Sequence, residues 1–249
     1  TINDVGYRIA FDYRPATRHH IRFGSNYLHH LYRPQRMVSQ DIRGTDGIID
    51  TLSSAGMNLN RYPGNELSFY VEDEIGLSRK LRANIGAHYT LYQVPGSVYH
   101  SLEPRLSVSY RLTDVATLKA SYTEMSQFVH QLSNSYLNLP TDCWVPSTRQ
   151  VPPMRSRQVA GGIYMELPWN LHLDMEGYFR TTSHMLEYDT SGSLIFPAEE
   201  WERVVRNGKG KSYGIEAALA YQDGKNTFEA GYTLSWSLQK FEDFYPDWY

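Results

Sequence analysis

Residues 211–238 constrain the fold more than any other part of the chain, because they form two long alternating stretches around one tight turn. Every second residue is apolar or aromatic, as a strand with two unlike faces requires. These positions are Tyr213, Ile215, Ala217, Leu219 and Tyr221, followed by Phe228, Ala230, Tyr232, Leu234, Trp236 and Leu238. Asp223-Gly224 supplies the turn, since glycine tolerates a positive φ. Each stretch reaches about ten residues, whereas soluble strands average about 5–6 and tilted membrane strands need about 9–11.

The same alternation recurs along the chain and predicts ten strands in total. The other eight cover residues 3–14, 18–32, 65–77, 81–91, 102–112, 118–123, 156–167 and 171–180. Short turns near residues 15, 79, 113, 168 and 223 alternate with longer loops at 33–63, 94–100, 127–153 and 183–209. Outer-membrane barrels have this asymmetry, with short periplasmic turns and long extracellular loops. The sequence therefore predicts an all-β fold, an antiparallel transmembrane β-barrel of which about ten strands are present.

The direction of the strands bears on whether the barrel is complete. If the short turns are periplasmic, strand one runs towards the periplasm and strand ten away from it, which puts both chain ends outside the cell. A complete bacterial barrel normally has both ends in the periplasm. We therefore expect residues 1–249 to be an internal part of a larger barrel. A single helix is predicted at residues 197–208, which begin with proline and carboxylates and end with Asn-Gly.

Composition excludes several other classes of protein. The net charge of −3 gives no sign of a nucleic-acid partner. One cysteine, Cys143, excludes an intrachain disulfide and a multi-cysteine metal site. The pairs His19-His20 and His29-His30 cannot chelate alone, since neighbouring residues of a strand point to opposite faces. No metal and no cofactor are predicted. The 20 tyrosines suit positions that are half apolar and half wet.

Four motifs, in order along residues 60–249, resemble one branch of the TonB-dependent outer-membrane receptors. Residues 139–146, LPTDCWVP, resemble an LPTD-x-WVP loop, and residues 101–107, SLEPRLS, resemble an S-x-EPR-x-S strand. Residues 208–216, GKGKSYGIE, and 231–236, GYTLSW, are similar to a GxxxSYGxE and GYTLSW pair. The final YPDWY of residues 245–249 resembles the approach to a D-R-R-H-D segment.

The resemblance implies a barrel of about 22 strands whose lumen is filled by an N-terminal plug domain. It implies a transport receptor rather than an enzyme, in the outer membrane of a Gram-negative bacterium. Such a receptor takes up a scarce nutrient with energy from the TonB complex, and the substrate class is a siderophore, haem, cobalamin, peptide or glycan. The implied partners are the receptor's own plug, the TonB complex via the plug, outer-membrane lipid and a surface lipoprotein. The plug and the last strands are expected to be absent from residues 1–249.

Two groups of residues are candidates for the functional site. Thr141, Asp142 and Trp144 lie in a predicted extracellular loop, either facing substrate or, as favoured here, shaping the loop with Trp144 packed beneath it. A second group of polar side chains is predicted to face the lumen and plug, and to pair with each other and with the plug rather than line a substrate path. These residues are Glu72, Glu74, Arg82, His88, Arg105, Arg111, His172, Asp174, Glu176 and Arg180.

Two alternatives belong to other functional classes. One is a complete ten-stranded outer-membrane protease of the omptin type, for which His172 and Asp174 on one strand face are the nearest candidates. The other is a soluble all-β binding module.

Overall fold

The computed structural model describes residues 2–32, 61–132, 143–188, 202, 205–241 and 247–248. These residues contain twelve β-strands. They are β1 (Ile2–Ala16), β2 (His19–Tyr32), β3 (Tyr62–Gly76), β4 (Leu81–Val94), β5 (Ser97–Arg111), β6 (Ala116–Gln127), β7 (Val129–Leu132), β8 (Cys143–Pro146), β9 (Met154–Leu167), β10 (Leu171–Tyr188), β11 (Val205–Asp223) and β12 (Asn226–Phe241).

Ten long strands form one antiparallel sheet in the order β1-β2-β3-β4-β5-β6-β9-β10-β11-β12. The prediction of an all-β fold with ten long antiparallel strands is therefore confirmed. The predicted loop at 127–153 contains a further element, because β7 and β8 pair with each other as a separate hairpin. No helix among the described residues is long and apolar enough to span a membrane.

The strand register gives the sheet one apolar and one polar face. The apolar face leaves large side chains uncovered, and Tyr232 is 65% exposed. Aromatic rings pair across neighbouring strands there, with centroids 5.0 Å apart for Phe11 and Phe23 and 5.3 Å apart for Tyr213 and Trp236. An exposed apolar surface of this extent is expected where lipid covers the strands.

Asp73 is a charged residue on the apolar face of β3, opposite Ile21, and it has a partner near the short-turn end of that strand. Its carboxylate Oδ2 lies 2.7 Å from Nδ1 of His19, at the start of β2. The charge is therefore met by hydrogen bonding at the edge of the apolar band.

Two predictions about the longer loops are wrong. Residues 94–100 are not a long loop, because β4 and β5 stay paired up to Val94 and Ser97 and are joined by Pro95 and Gly96 alone. Gly96 has a φ of +80°, a conformation that favours glycine. The predicted helix is wrong over residues 205–208, which belong to β11 and pair with β10. Cross-strand hydrogen bonds there outweigh the local capping signals. Apart from Glu202, residues 197–204 lie outside the described residues.

The β7–β8 hairpin shows that the sheet curves. Val145 of β8 and Val151 share a buried cluster with Val205 of β11, and Tyr62 of β3 packs against it. Five strands separate β3 from β11 in the sheet, a distance of roughly 29 Å at about 4.8 Å per strand. A small hairpin reaches both strands only if the sheet bends around it.

Candidate functional site

The polar face carries all of the residues predicted to face a lumen. The register aligns them from strand to strand: His88 lies opposite Glu103, and Gly86 lies opposite Arg105. The same face continues through β6 and β9 to β10, where Asp174 lies opposite Tyr164. The predicted residues on this face are Glu72, Glu74, Arg82, His88, Arg105, Arg111, His172, Asp174, Glu176 and Arg180.

The most buried charge on this face is Glu103, which the sequence analysis missed. It is 4% exposed. Its Oε1 accepts hydrogen bonds from the backbone N–H of Ser126 at 3.0 Å and from the hydroxyl of Ser101 at 3.2 Å. Its Oε2 lies 3.3 Å from Nδ1 of His88 and 3.7 Å from Nη2 of Arg105. We call these five residues the Glu103 cluster.

The position of the cluster follows from Pro104. Pairing of β5 with β6 runs from Arg111 only as far as Arg105, which lies opposite Thr123. Proline has no N–H to donate to a ladder, so the two strands separate beyond it. The Glu103 carboxylate accepts the hydrogen bond from the Ser126 N–H, which in a continuous ladder would go to a backbone carbonyl of the neighbouring strand. A side chain thus continues the hydrogen bonding where the backbone ladder stops.

Glu72 and Glu74 have partners that the sequence analysis did not name. The guanidinium of Arg22 on β2 lies 2.9 Å from Glu72. The ring of His20 lies 2.7 Å from Asp12 on one side and 4.0 Å from Glu74 on the other. Five carboxylate, imidazole and guanidinium groups of β1, β2 and β3 therefore lie within reach of one another near the short-turn end.

On β9 and β10 the partners are mostly neutral. Tyr164 donates a hydrogen bond to Glu176 at 2.9 Å, and the Lys119 ammonium lies 3.7 Å from the centre of the Tyr164 ring. Arg180 donates to Oε1 of Gln158 through Nε at 2.8 Å and Nη2 at 2.6 Å. Arg82, Arg111 and Asp174 lie on the same face with exposed side chains.

The long-loop end of the polar face has a second buried cluster. Nδ1 of His30 lies 2.8 Å from Asp4, and Nε2 lies 3.7 Å from Glu66. Tyr32 and Tyr92 are fully buried beside it, and Tyr92 stacks on Phe128 with centroids 4.7 Å apart. This aromatic layer joins the sheet to the segment that leads into β7.

Only part of the predicted loop site is described. Thr141 and Asp142 lie outside the described residues, and Trp144 lies in β8 opposite Gln131. Trp144 is 43% exposed, whereas the following Val145 is fully buried. The favoured expectation that Trp144 packs beneath the loop stays a prediction, because residues 133–142 of that loop lie outside the described residues.

Within the hairpin, His130 is held in its neutral form. Its Nε2 is 3.0 Å from the Ser147 hydroxyl. Burial lowers the pKa of His130 to about 4, and the nearby His184 acts in the same direction. A hydrogen bond that the ring donates to the backbone carbonyl of Pro152 acts in the opposite direction. When the hairpin detaches, the ring is exposed to water and its pKa returns to the ordinary histidine value of about 6.5.

The attachment of the hairpin should therefore depend on pH. Between about 6.5 and 4 the detached state binds the extra proton, so the packed state loses stability as pH falls, by about 3 kcal/mol in all. Hydrogen exchange of residues 129–132 and 143–146, corrected for intrinsic rates, measures this loss. His130→Gln keeps a partner for Ser147 without titrating and should show no such trend. Equal trends in both proteins would contradict the assignment.

No group of three or more His, Cys, Asp or Glu side chains in the described part of the chain is arranged to hold a metal ion. Charge pairs stabilise the part of the polar face on β2–β5, whereas Glu176 and Arg180 on β10 have neutral partners.

The comparisons decide the family. Residues 2–248 match the family described as TonB dependent receptor-like, beta-barrel. The chain belongs to the TonB-dependent receptor family. This places the barrel in the outer membrane of a Gram-negative bacterium. Its relatives are transport receptors rather than enzymes, which argues against the omptin-type protease. No curated protein matches the chain.

Three solved structures show how much of a receptor barrel is present. The FrpB iron transporter from Neisseria meningitidis (F3-3 variant) is 17% identical with a TM-score of 0.67, over 96% of this chain and 36% of that one. The siderophore receptor PirA from Acinetobacter baumannii is 13% identical with a TM-score of 0.57, over 97% of this chain and 36% of that one. The ferripyoverdine receptor of Pseudomonas aeruginosa is 16% identical with a TM-score of 0.55, over 97% of this chain and 33% of that one. The chain spans about a third of the length of these receptors.

Proposed function

We propose that residues 1–249 form one part of the wall of a TonB-dependent receptor that takes up a scarce nutrient across the outer membrane. The two-faced curved sheet carries this proposal, since one face is apolar and exposed while the other holds compensated charges. The plug domain, outside these residues, is the partner of the polar face, and it transmits energy from the TonB complex.

The charge pairing supports the proposal that the polar face contacts a protein domain and does not line an open channel. In a filled lumen, charges need partners because water does not screen them fully. The Glu103 cluster and the Arg22–Glu72 pair meet that need within the wall. Arg82 and Arg111 lie on the same face but outside these clusters. We propose that such side chains contact the plug.

The substrate class proposed for the first test is a ferric siderophore, since three of the solved relatives are named as iron or siderophore receptors. Trp144, exposed on β8, is the described residue of the predicted loop site, and its indole offers a flat apolar surface for a ligand. Thr141 and Asp142 remain part of the proposed contact. Haem, cobalamin, peptide and glycan are the alternative classes, and a surface lipoprotein is a proposed partner at this end.

Uptake by cells that produce the full-length protein tests the function. We expect accumulation of radiolabelled iron from at least one siderophore of a chemically diverse panel, abolished when TonB is deleted. Trp144→Ala should lower uptake about tenfold through weaker binding, as loss of an aromatic contact does. Trp169→Ala, in a short turn at the opposite end, is the matched control. TonB-independent uptake, or none from any of the five substrate classes, would contradict the proposal.

A further inference from the structure

At the long-loop end of the polar face, the buried ring of His30 has one nitrogen that makes no hydrogen bond to any described residue. The His30 side chain is 7% exposed, and its Nδ1 donates to the Asp4 carboxylate at 2.8 Å. The lone pair of the other nitrogen, Nε2, therefore stays unused. Nε2 lies 3.7 Å from the Glu66 carboxylate. This distance is too long for a hydrogen bond and close to twice the roughly 2 Å of a bond from nitrogen or oxygen to a metal ion.

Two phenol groups lie next to the gap between His30 and Glu66. Glu66 lies directly opposite Tyr92 on the neighbouring strand, and its carboxylate is near enough to act electrostatically on the phenols of both Tyr32 and Tyr92. The two phenol oxygens are 3.4 Å apart, and both residues are fully buried. Gly64 makes room for them, since a Cβ there would lie 2.9 Å from the Tyr92 oxygen. An imidazole, a carboxylate and two phenols therefore lie together around Gly64.

This group of side chains carries more negative than positive charge. Asp4 and Glu66 are two carboxylates, and their ion-pair partner among the described residues is His30. One imidazole supplies at most a single positive charge, so at least one negative charge is left over. The Glu66 side chain is 22% exposed, and a carboxylate largely removed from water needs a compensating charge. A bound cation supplies that charge, and the partly exposed Glu66 marks the side from which the cation enters.

The donor atoms indicate which cation fits. The set contains no sulfur, which disfavours soft ions such as Cu⁺, and an imidazole is an unusual ligand for Mg²⁺ or Ca²⁺. A phenol binds a metal strongly as its phenolate, so the ion must be polarising enough to displace two phenol protons to water. Ferric ion does so, and its three positive charges equal the negative charges of two phenolates and one carboxylate. The loaded inner shell is then neutral, as burial favours.

We propose that the barrel wall binds one unchelated ferric ion through four side chains, His30, Tyr32, Glu66 and Tyr92. Asp4 is a positioning residue: it fixes the tautomer of His30 so that Nε2 faces the ion, as carboxylates do behind many metal-bound histidines. One histidine and one carboxylate coordinate the ion, and the two tyrosines complete the set. The site goes beyond the uptake proposed above, because binding of the ion by these side chains requires neither a siderophore nor the plug.

Visible absorption tests the site, because a ferric ion bound to phenolates has a strong charge-transfer band. The full-length protein in detergent, cleared of metal with a chelator, is titrated with ferric nitrilotriacetate, and we expect one bound ion per chain with a visible band. Tyr32→Phe and Tyr92→Phe, made singly, should each remove about half of the band and weaken binding about 100-fold, since even changes behind the ligands cost about 10- to 100-fold. Tyr70→Phe, on the same face of β3, is the matched control and should change neither.

A variant behind the ligands gives a different reading. Asp4→Asn should weaken binding about tenfold, while the loaded protein keeps its full band because both phenolates remain. No band in the unaltered protein, a band that persists in both tyrosine variants, or an equal loss in Tyr70→Phe would overturn the proposal. Zinc titrated alone should bind more weakly than ferric ion, and tighter zinc binding would overturn the choice of ion. None of these readings depends on transport, so the site and the proposed uptake are tested separately.

Discussion

Replacing Glu103 by alanine is expected to lower the free energy of unfolding of the barrel by about 3 kcal/mol. The change removes the acceptor for the Ser126 N–H and leaves His88 and Arg105 without their shared carboxylate. A buried polar group without a partner has lost its hydrogen bonds to water and has no protein hydrogen bond to replace them, which destabilises the folded state. Urea unfolding of the full-length protein in lipid vesicles, followed by tryptophan fluorescence, measures the loss.

Graded variants separate the two parts of this effect. Glu103→Gln keeps an oxygen acceptor for Ser126 and removes the charge that meets His88 and Arg105, so we expect about half of the loss. Glu229→Ala, on the exposed polar face of β12, is the control and should cost under about 0.5 kcal/mol. If Glu103→Ala were as mild as Glu229→Ala, the Glu103 cluster would not join β5 to β6.

The second large effect is expected at the attachment of the β7–β8 hairpin. Phe128 is 5% exposed and stacks on the fully buried Tyr92. Phe128→Ala removes this contact just before β7 begins and should destabilise the packed hairpin by about 3 kcal/mol. Hydrogen exchange of residues 129–132 and 143–146 should then be about 100-fold faster.

The control for Phe128 is an aromatic residue on the other face. Phe228 is 58% exposed on β12, and Phe228→Ala should leave exchange in the hairpin unchanged. Because Trp144 lies in the same hairpin, Phe128→Ala should also lower substrate binding if the proposed contact holds. Unchanged exchange in Phe128→Ala would show that the hairpin is held by other contacts, such as the Val145–Val151–Val205 cluster.

The ten long strands were predictable because alternation is a local property of each strand. Around Ile215 and Leu234, the alternation along a single strand predicts the face of each side chain, whichever strand is its partner. The polar assignments of Glu72 and Arg105 follow from the same rule. The family motifs added the class of protein, which periodicity alone does not specify.

Features that depend on two strands together were not predictable. The partner of Glu72 is Arg22 only because β2 and β3 pair in one register. The role of Glu103 depends on where the β5–β6 ladder stops, although its alternation with Arg105 and Ser101 was a readable signal. Pro95-Gly96 indicated a loop, yet the strands on both sides pair to the turn. Residues 205–208 carried helix-ending signals, and pairing with β10 overrode them.

The measurement that tests the account most directly is the accessibility of the two faces in the membrane. Spin labels would be placed singly on the full-length protein, after Cys143→Ser, at Ile85, Ile215 and Leu234 of the apolar face and at Glu72, Arg105 and Glu176 of the polar face. We predict that the first three collide with oxygen dissolved in lipid, and that the second three are shielded from it. Equal collision rates, or lipid contact at the polar positions, would contradict a receptor wall with lipid on one side and a filled lumen on the other.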